Sequence, residues 1–314
     1  MTKKDLTPFT LLAVAVAADR TTRRDEDRYG PGPDSEWRRI DWSGHQRWVE
    51  IAGAPVNYVE LGEGPPLLLI HGLAGSWQNW LETIPHFART HRVLAPDLPG
   101  FGQSPMPKEK ISIPGYGRLV DGFCDAVSVE RGALVGNSMG GFIAAEVAIQ
   151  HPDRVDRLAL VSAAGITAEH QRNDRGLALL RRFEAAVTWA VTHPSPRFFM
   201  RPRARRGMSL VFAHPEKLPG PLLVEQAKGS GKPGFIDALD ALTDYPLRDR
   251  LERISVPTLI VWGDRDKLVP LRDADVFEQL IPNARKLVYA DTGHVPMLER
   301  PARFSRDLEE FLAS

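Results

Sequence analysis

Short, unbroken apolar runs recur along this chain, and they constrain its fold more than any other feature. Leu67-Leu68-Leu69-Ile70 is the clearest. Arg92 to Ala95, Ala133 to Val135, Leu158 to Val161 and Thr258 to Trp262 repeat the signature, and Lys286 to Tyr289 is a weaker case. A strand with one wet face alternates apolar and polar residues, whereas an unbroken run fits a strand buried on both faces. Helical patterns fall between the runs, at Tyr116 to Val127, Met139 to Gln150 and Asp273 to Leu280. Strands alternating with helices predict an α/β fold, a mainly parallel sheet covered by helices on both faces. Ahead of the first run, Arg47 to Ile51 and Val56 to Leu61 read as two more strands, with a turn at Gly53.

One block breaks the rhythm. From about Ile166 to Arg250 helical patterns continue without a buried strand, and Leu177, Leu180, Phe183, Val187 and Val191 recur at helical spacing. Residues 166–250 therefore read as a helical cap inserted between the two parts of a sheet domain, 37–165 and 251–314. Residues 1–36 form an N-terminal extension. Within it, residues 19–36 join a mixed-charge run to Gly30-Pro31-Gly32-Pro33, the composition of an exposed tether. Lys3 and Lys4 precede an apolar run from Phe9 to Ala18. The preferred reading is a short amphipathic or buried helix in a cytoplasmic protein; the alternative is a weak signal peptide and export.

Composition narrows the function. Forty basic and 40 acidic residues give a formal net charge of zero, so nothing global favours nucleic acid or a membrane surface as partner. A single cysteine, Cys124, rules out a disulfide framework within one chain and a thiolate metal cluster. No cofactor and no metal are expected. The expected partner is a small-molecule substrate, and the oligomeric state is left open.

The chemistry is concentrated at Gly136-Asn137-Ser138-Met139-Gly140, which fits G-x-S-x-G between a buried strand and a helix. Such a turn lifts a serine hydroxyl above the sheet edge, beside the free N–H groups of a helix N-terminus. A serine hydroxyl needs a base. Of nine histidines, His294 is the best placed, on a loop after the last expected strand. The base in turn needs a carboxylate, and Asp264 and Asp266 both follow the strand Thr258 to Trp262.

From about Trp37 to the C-terminus, cap excluded, the chain resembles the α/β-hydrolase fold superfamily. The resemblance rests on His71-Gly72-Leu73, Asp97-Leu98-Pro99-Gly100-Phe101-Gly102-Gln103-Ser104, the serine elbow, Gly263-Asp264-Arg265-Asp266-Lys267-Leu268-Val269-Pro270, and Gly293-His294. It implies an α/β-hydrolase fold with a triad of Ser138, Asp266 and His294, selecting Asp266 over Asp264. It also implies an oxyanion hole from the backbone N–H groups of Leu73 and Met139, with structural roles for His71 and for the turn from Asp97 to Ser104. Trp77, Leu268, Val295 and, in the cap, Phe199 are the candidate pocket residues, and they favour an apolar acyl or alkyl group. The first expectation is an esterase-like serine hydrolase that cleaves a carboxylic ester through an acyl-enzyme. Gly-Asn-Ser-Met-Gly-Gly also occurs in carbon–carbon bond hydrolases of ring-cleavage products. Those usually carry tryptophan where this chain has Val295, and a longer glycine-rich oxyanion loop. Cofactor-free perhydrolases share the triad, and some relatives of the fold are small-molecule receptors.

Overall fold

A computed structural model of the protein describes residues 28–32, 34–167 and 200–314. Eight strands form one sheet: β1 (Gln46–Ile51), β2 (Ala54–Leu61), β3 (Pro66–Ile70), β4 (Arg92–Pro96), β5 (Gly132–Asn137), β6 (Val155–Val161), β7 (Thr258–Gly263) and β8 (Ala284–Tyr289). Their order is β1-β2-β4-β3-β5-β6-β7-β8. The β1/β2 and β2/β4 pairs are antiparallel and every other pair is parallel. Each strand read from the sequence is present. The weak signal at Lys286 to Tyr289 belongs to the edge strand β8, where only Tyr289 is buried.

The apolar runs are continuous because each face of the sheet has its own core. Leu68, Ile70, Leu134, Leu160 and Ile260 pack on one face. Leu67, Leu69, Val135, Ala159, Val161, Leu259 and Val261 pack on the other. Burying each of the leucine, isoleucine and valine side chains among these stabilises the fold by about 1.5–3 kcal/mol relative to exposure. The first face is covered by helices α1 (Ile113–Ala126), α2 (Met139–Gln150) and α5 (Leu271–Leu280), through residues such as Phe123, Phe142 and Phe277. The second is covered by helices α3 (Gly220–Ala227) and α6 (Pro301–Leu312), through Leu222, Leu223, Phe304, Leu308 and Phe311. Between α3 and α5 lies α4 (Phe235–Asp244).

The described part of the expected cap, residues 200–250, holds helical elements only. Three of its contacts with the sheet domain lie on loops that follow strands. Val211 O accepts from His294 N at 2.8 Å, and Gly234 N donates to Gly100 O at 3.0 Å. The Gln226 amide accepts from Asn79 Nδ2 at 2.8 Å and donates to Gln78 O at 2.6 Å. The expected helix at Leu177 to Val191, and Phe199 with it, lie outside the described residues. No described helix is long and apolar enough to cross a membrane.

The end of the N-terminal extension differs from the exposed tether expected. Gly30 and Pro31 are buried and Tyr29 is half-buried. Gly30 N donates to Glu299 O at 2.7 Å, and Trp37 joins the second core. The reason is local: a tyrosine and two compact residues pack into a seam, which the surrounding Gly/Pro and charged composition conceals.

Candidate active site

Ser138 sits between β5 and α2 with φ 56° and ψ −118°. A non-glycine residue in this region is strained by about 1–3 kcal/mol and must be held there by its surroundings. Ser138 N donates to Val161 O at 2.9 Å, and Ser138 O accepts from Phe142 N and Ala164 N at 3.1 and 3.0 Å. The turn is tight enough to demand its glycines. A Cβ on Gly136 would lie 2.1 Å from Gly140 O, and one on Gly140 would lie 2.1 Å from Ile70 O. The outcome is a half-exposed serine whose hydroxyl is bonded to no described residue.

The structure brings His294 to Asp266 and keeps Asp264 away. His294 Nδ1 lies 2.8 Å from Asp266 Oδ2, with the ring 6% and the carboxylate 0% exposed. Asp266 Oδ1 accepts from Leu268 N and Val269 N, both at 2.9 Å, which orients the carboxylate. This contact places the imidazole proton on Nδ1 and leaves Nε2 as an acceptor. Asp264 is exposed, its Oδ1 accepting from Thr292 N at 3.3 Å, a tie between two loops. The serine turn and the histidine loop are joined directly, because Asn137 Nδ2 donates to His294 O at 3.2 Å and to Val161 O at 3.1 Å.

The loop after β3 lies against the serine. A Cβ on Gly72 would be 3.1 Å from Ser138 Cβ. His71 is fully buried; its Nδ1 donates to Gly72 O at 2.8 Å and its Nε2 accepts from Leu98 N at 2.9 Å. Burial pushes its pKa down to about 4, so it is a neutral brace. Asp97 is a second brace. Its carboxylate accepts from Trp77 N at 2.8 Å and Gln103 N at 2.9 Å, and burial raises its pKa to about 6. The N–H groups of Leu73 and Met139 donate to no hydrogen bond among the described residues.

The described candidate pocket residues differ in exposure. Trp77 is buried with its ring 4.9 Å from that of Trp42, and Val295 is buried in the second core. Leu268, beside Asp266, is 40% exposed. Two residues that sequence reasoning missed stand at the back of the histidine loop. Glu299 is fully buried and accepts from Gly293 N and Val295 N, the amides on either side of His294, at 3.0 and 3.3 Å. Tyr29 donates its hydroxyl to the same carboxylate at 2.5 Å. Glutamate in a short Pro-led turn and tyrosine in a charged extension carry no periodic signal, so neither stood out. Among the described residues no three His, Cys, Asp or Glu side chains cluster as metal ligands.

A serine elbow on a mostly parallel sheet, tied through Asn137 to the loop of a carboxylate-bound histidine, fits a class of hydrolases, and the α/β hydrolase fold family model matches residues 65–301. The chain belongs to that family, and it is a hydrolase. It is 32% identical to 2-hydroxymuconate semialdehyde hydrolase of Pseudomonas putida, over 85% of this chain and 94% of that one. Among solved structures it resembles a meta-cleavage product hydrolase from Pseudomonas fluorescens IP01, with 29% identity, TM-score 0.68, and coverage of 85% and 97%. It also resembles an N-acyl homoserine lactone degrading enzyme, with 27% identity, TM-score 0.70, and coverage of 84% and 100%.

Proposed function

We propose that Ser138, His294 and Asp266 form a catalytic triad, with the Leu73 and Met139 N–H groups as oxyanion hole. The substrate class we assign is a 2-hydroxy-6-oxo-dienoate cleaved at a carbon–carbon bond. The observation that carries the substrate class is the 32% identity, across 94% of its length, to a hydrolase of 2-hydroxymuconate semialdehyde. That reading replaces the esterase expectation as the first one.

In this reading the geometry works as follows. Ketonisation of the dienol moves its hydroxyl proton to C5. Ser138 Oγ attacks the C6 carbonyl while His294 Nε2 takes the serine proton. Asp266, held by two backbone N–H groups, stabilises the imidazolium through Nδ1. The oxyanion is received by the Leu73 and Met139 N–H groups. The C5–C6 bond breaks, its electron pair passing through C3=C4 into the C2 carbonyl, and the imidazolium returns a proton to the departing dienolate. Water, activated by His294, then releases the acyl group from Ser138. One water is consumed, its hydroxyl ending on C6 and its hydrogen on the dienol product.

Ester or lactone hydrolysis is the second reading. It is favoured by Val295, where the carbon–carbon hydrolases usually carry tryptophan, and by the likeness to the lactone-degrading enzyme. Both readings share the triad and differ in the leaving group. Loss of the visible absorbance of a 2-hydroxy-6-oxo-dienoate, measured beside a p-nitrophenyl ester and acyl lactone panel, separates them. The expected result is a kcat/KM for the dienoate at least about tenfold above the best ester. The reverse order overturns the carbon–carbon assignment and leaves the ester reading standing.

A further inference from the structure

We infer that Tyr29, in the N-terminal extension, is a positioning residue for His294, acting through Glu299. This rests on the reading of His294 as the base.

The Glu299 carboxylate is buried behind the histidine loop and is surrounded by donors. Gly293 N lies 3.0 Å from both of its oxygens, Val295 N 3.3 Å from Oε1, and Ala213 N 2.8 Å from Oε2. Backbone N–H groups only donate, so the carboxylate is an acceptor throughout, the role of its ionised form. Among the described residues, the side chain that completes the set is Tyr29, whose hydroxyl reaches Oε2 at 2.5 Å. An ionised carboxylate only accepts, so the phenol donates, and its oxygen in turn accepts from His214 N at 2.8 Å. The phenol therefore passes a hydrogen bond from the described cap segment to the residue that grips both amides flanking His294.

The ring is seated as well as the hydroxyl. The Arg300 guanidinium lies 5.0 Å from its centroid and Lys217 Nζ 5.4 Å, while the His214 ring meets it edge-on at 5.2 Å. Gly30 N then closes the contact on Glu299 O at 2.7 Å. Here the extension crosses the seam between residues 211–218 and the histidine loop.

A buried carboxylate that loses a donor must recover it elsewhere. Without the phenol, Glu299 shifts toward its remaining N–H partners, which are attached to the backbone on each side of His294. The 2.8 Å contact between His294 Nδ1 and Asp266 is set by that backbone. Its loosening lowers both the fraction of well-oriented imidazole and the stabilisation of the imidazolium.

The test uses the full chain and a small fluorophosphonate, so no substrate has to be known. The pH profile of the rate of Ser138 labelling is measured for wild type, Tyr29→Phe, Tyr29→Leu and His294→Ala, below the lowest of their melting temperatures. Tyr29→Phe is expected to label about tenfold more slowly, with the midpoint of the acid limb displaced to lower pH. Tyr29→Leu should behave the same way. A lowered melting temperature with unaltered rate and midpoint marks Tyr29 as a packing residue and overturns the proposal. So does a wild-type profile in Tyr29→Phe with a slow Tyr29→Leu, since the ring alone would then matter. Undiminished labelling in His294→Ala overturns the base assignment and, with it, this inference.

Discussion

The two aspartates of one loop, two positions apart, show how much a single hydrogen-bond set decides. Asp266 turns one oxygen to Leu268 N and Val269 N and the other to His294, whereas Asp264 spends its carboxylate on Thr292 N. Asp266→Asn should lower kcat on the order of 10⁴-fold, because the amide no longer holds the Nδ1–H tautomer. Asp264→Asn should stay within about threefold, since its exposed bond is worth about 1 kcal/mol or less. Steady-state kinetics on both variants decides it, and a larger loss for Asp264→Asn would reverse the assignment. His71 and Asp97 carry a second residue-scale prediction, about pH. The buried His71 has its pKa lowered to about 4, so the unfolded chain binds its proton first, and its contribution to stability is lost as pH falls from 6.5 through 4. Asp97 has its pKa raised to about 6, so the folded state binds the proton first, and its contribution grows as pH falls from 6 toward 3.8. Each effect amounts to about 3 kcal/mol, and over this window they oppose one another. Relative to wild type, His71→Asn should gain stability on acidification and Asp97→Asn should lose it. Denaturant titrations at pH 7 and pH 4.5 read the two slopes, and equal slopes in both variants would refute the opposition.

At the scale of elements, the sheet and the three helices on its first face were legible, and the two helices on its second face were not. Leu67 to Ile70 and its counterparts announce strands because burial on both faces removes every reason for a polar residue, and the two core clusters supply those faces. The elbow was legible because its chemistry is steric: the backbone of Gly140 fills the space beside Gly136, and Ile70 O fills the space beside Gly140. Gly140→Ala should therefore destabilise the protein by about 3 kcal/mol or more, through a backbone collision that no side-chain rotation relieves. A melting temperature within two degrees or so of wild type would show that the turn has slack. Helix α6 went unread although its signal was present, Phe304, Leu308 and Phe311 recurring at helical spacing with Arg303, Arg306, Glu309 and Glu310 at the positions between them. The pairing of Glu146 with Arg250 at 2.7 Å was unreadable for another reason. The two lie about a hundred positions apart, and nothing local marks a carboxylate on α2 as one that is buried on folding. The same holds for Glu299 and Tyr29, whose contact spans 270 positions.

For the whole molecule, three of the attachments of residues 200–250 are informative because of where they land. Val211 holds the histidine loop, Gly234 holds the turn after β4, and Gln226 holds Gln78 and Asn79, which follow the loop bearing Leu73. The histidine loop and the turn that follows the Leu73 loop are thereby tied to the same segment, and we propose that it closes the pocket and sets substrate choice. Gln226 is the attachment open to a clean test, since it uses a side chain, lies on α3, and is only 9% exposed. Gln226→Leu keeps the volume and removes both bonds. Two bonds of about 1 kcal/mol each should cost a few degrees of melting temperature in a chain of this size. If the segment also shapes the pocket, the ratio of kcat/KM for a bulky acyl substrate to that for an acetyl substrate should change by about fivefold or more, while labelling of Ser138 by a small phosphonate stays near wild type. A structural strut predicts the same loss of melting temperature with an unaltered ratio. The ratio, measured where both proteins are fully folded, is therefore the quantity that tells a lid from a strut.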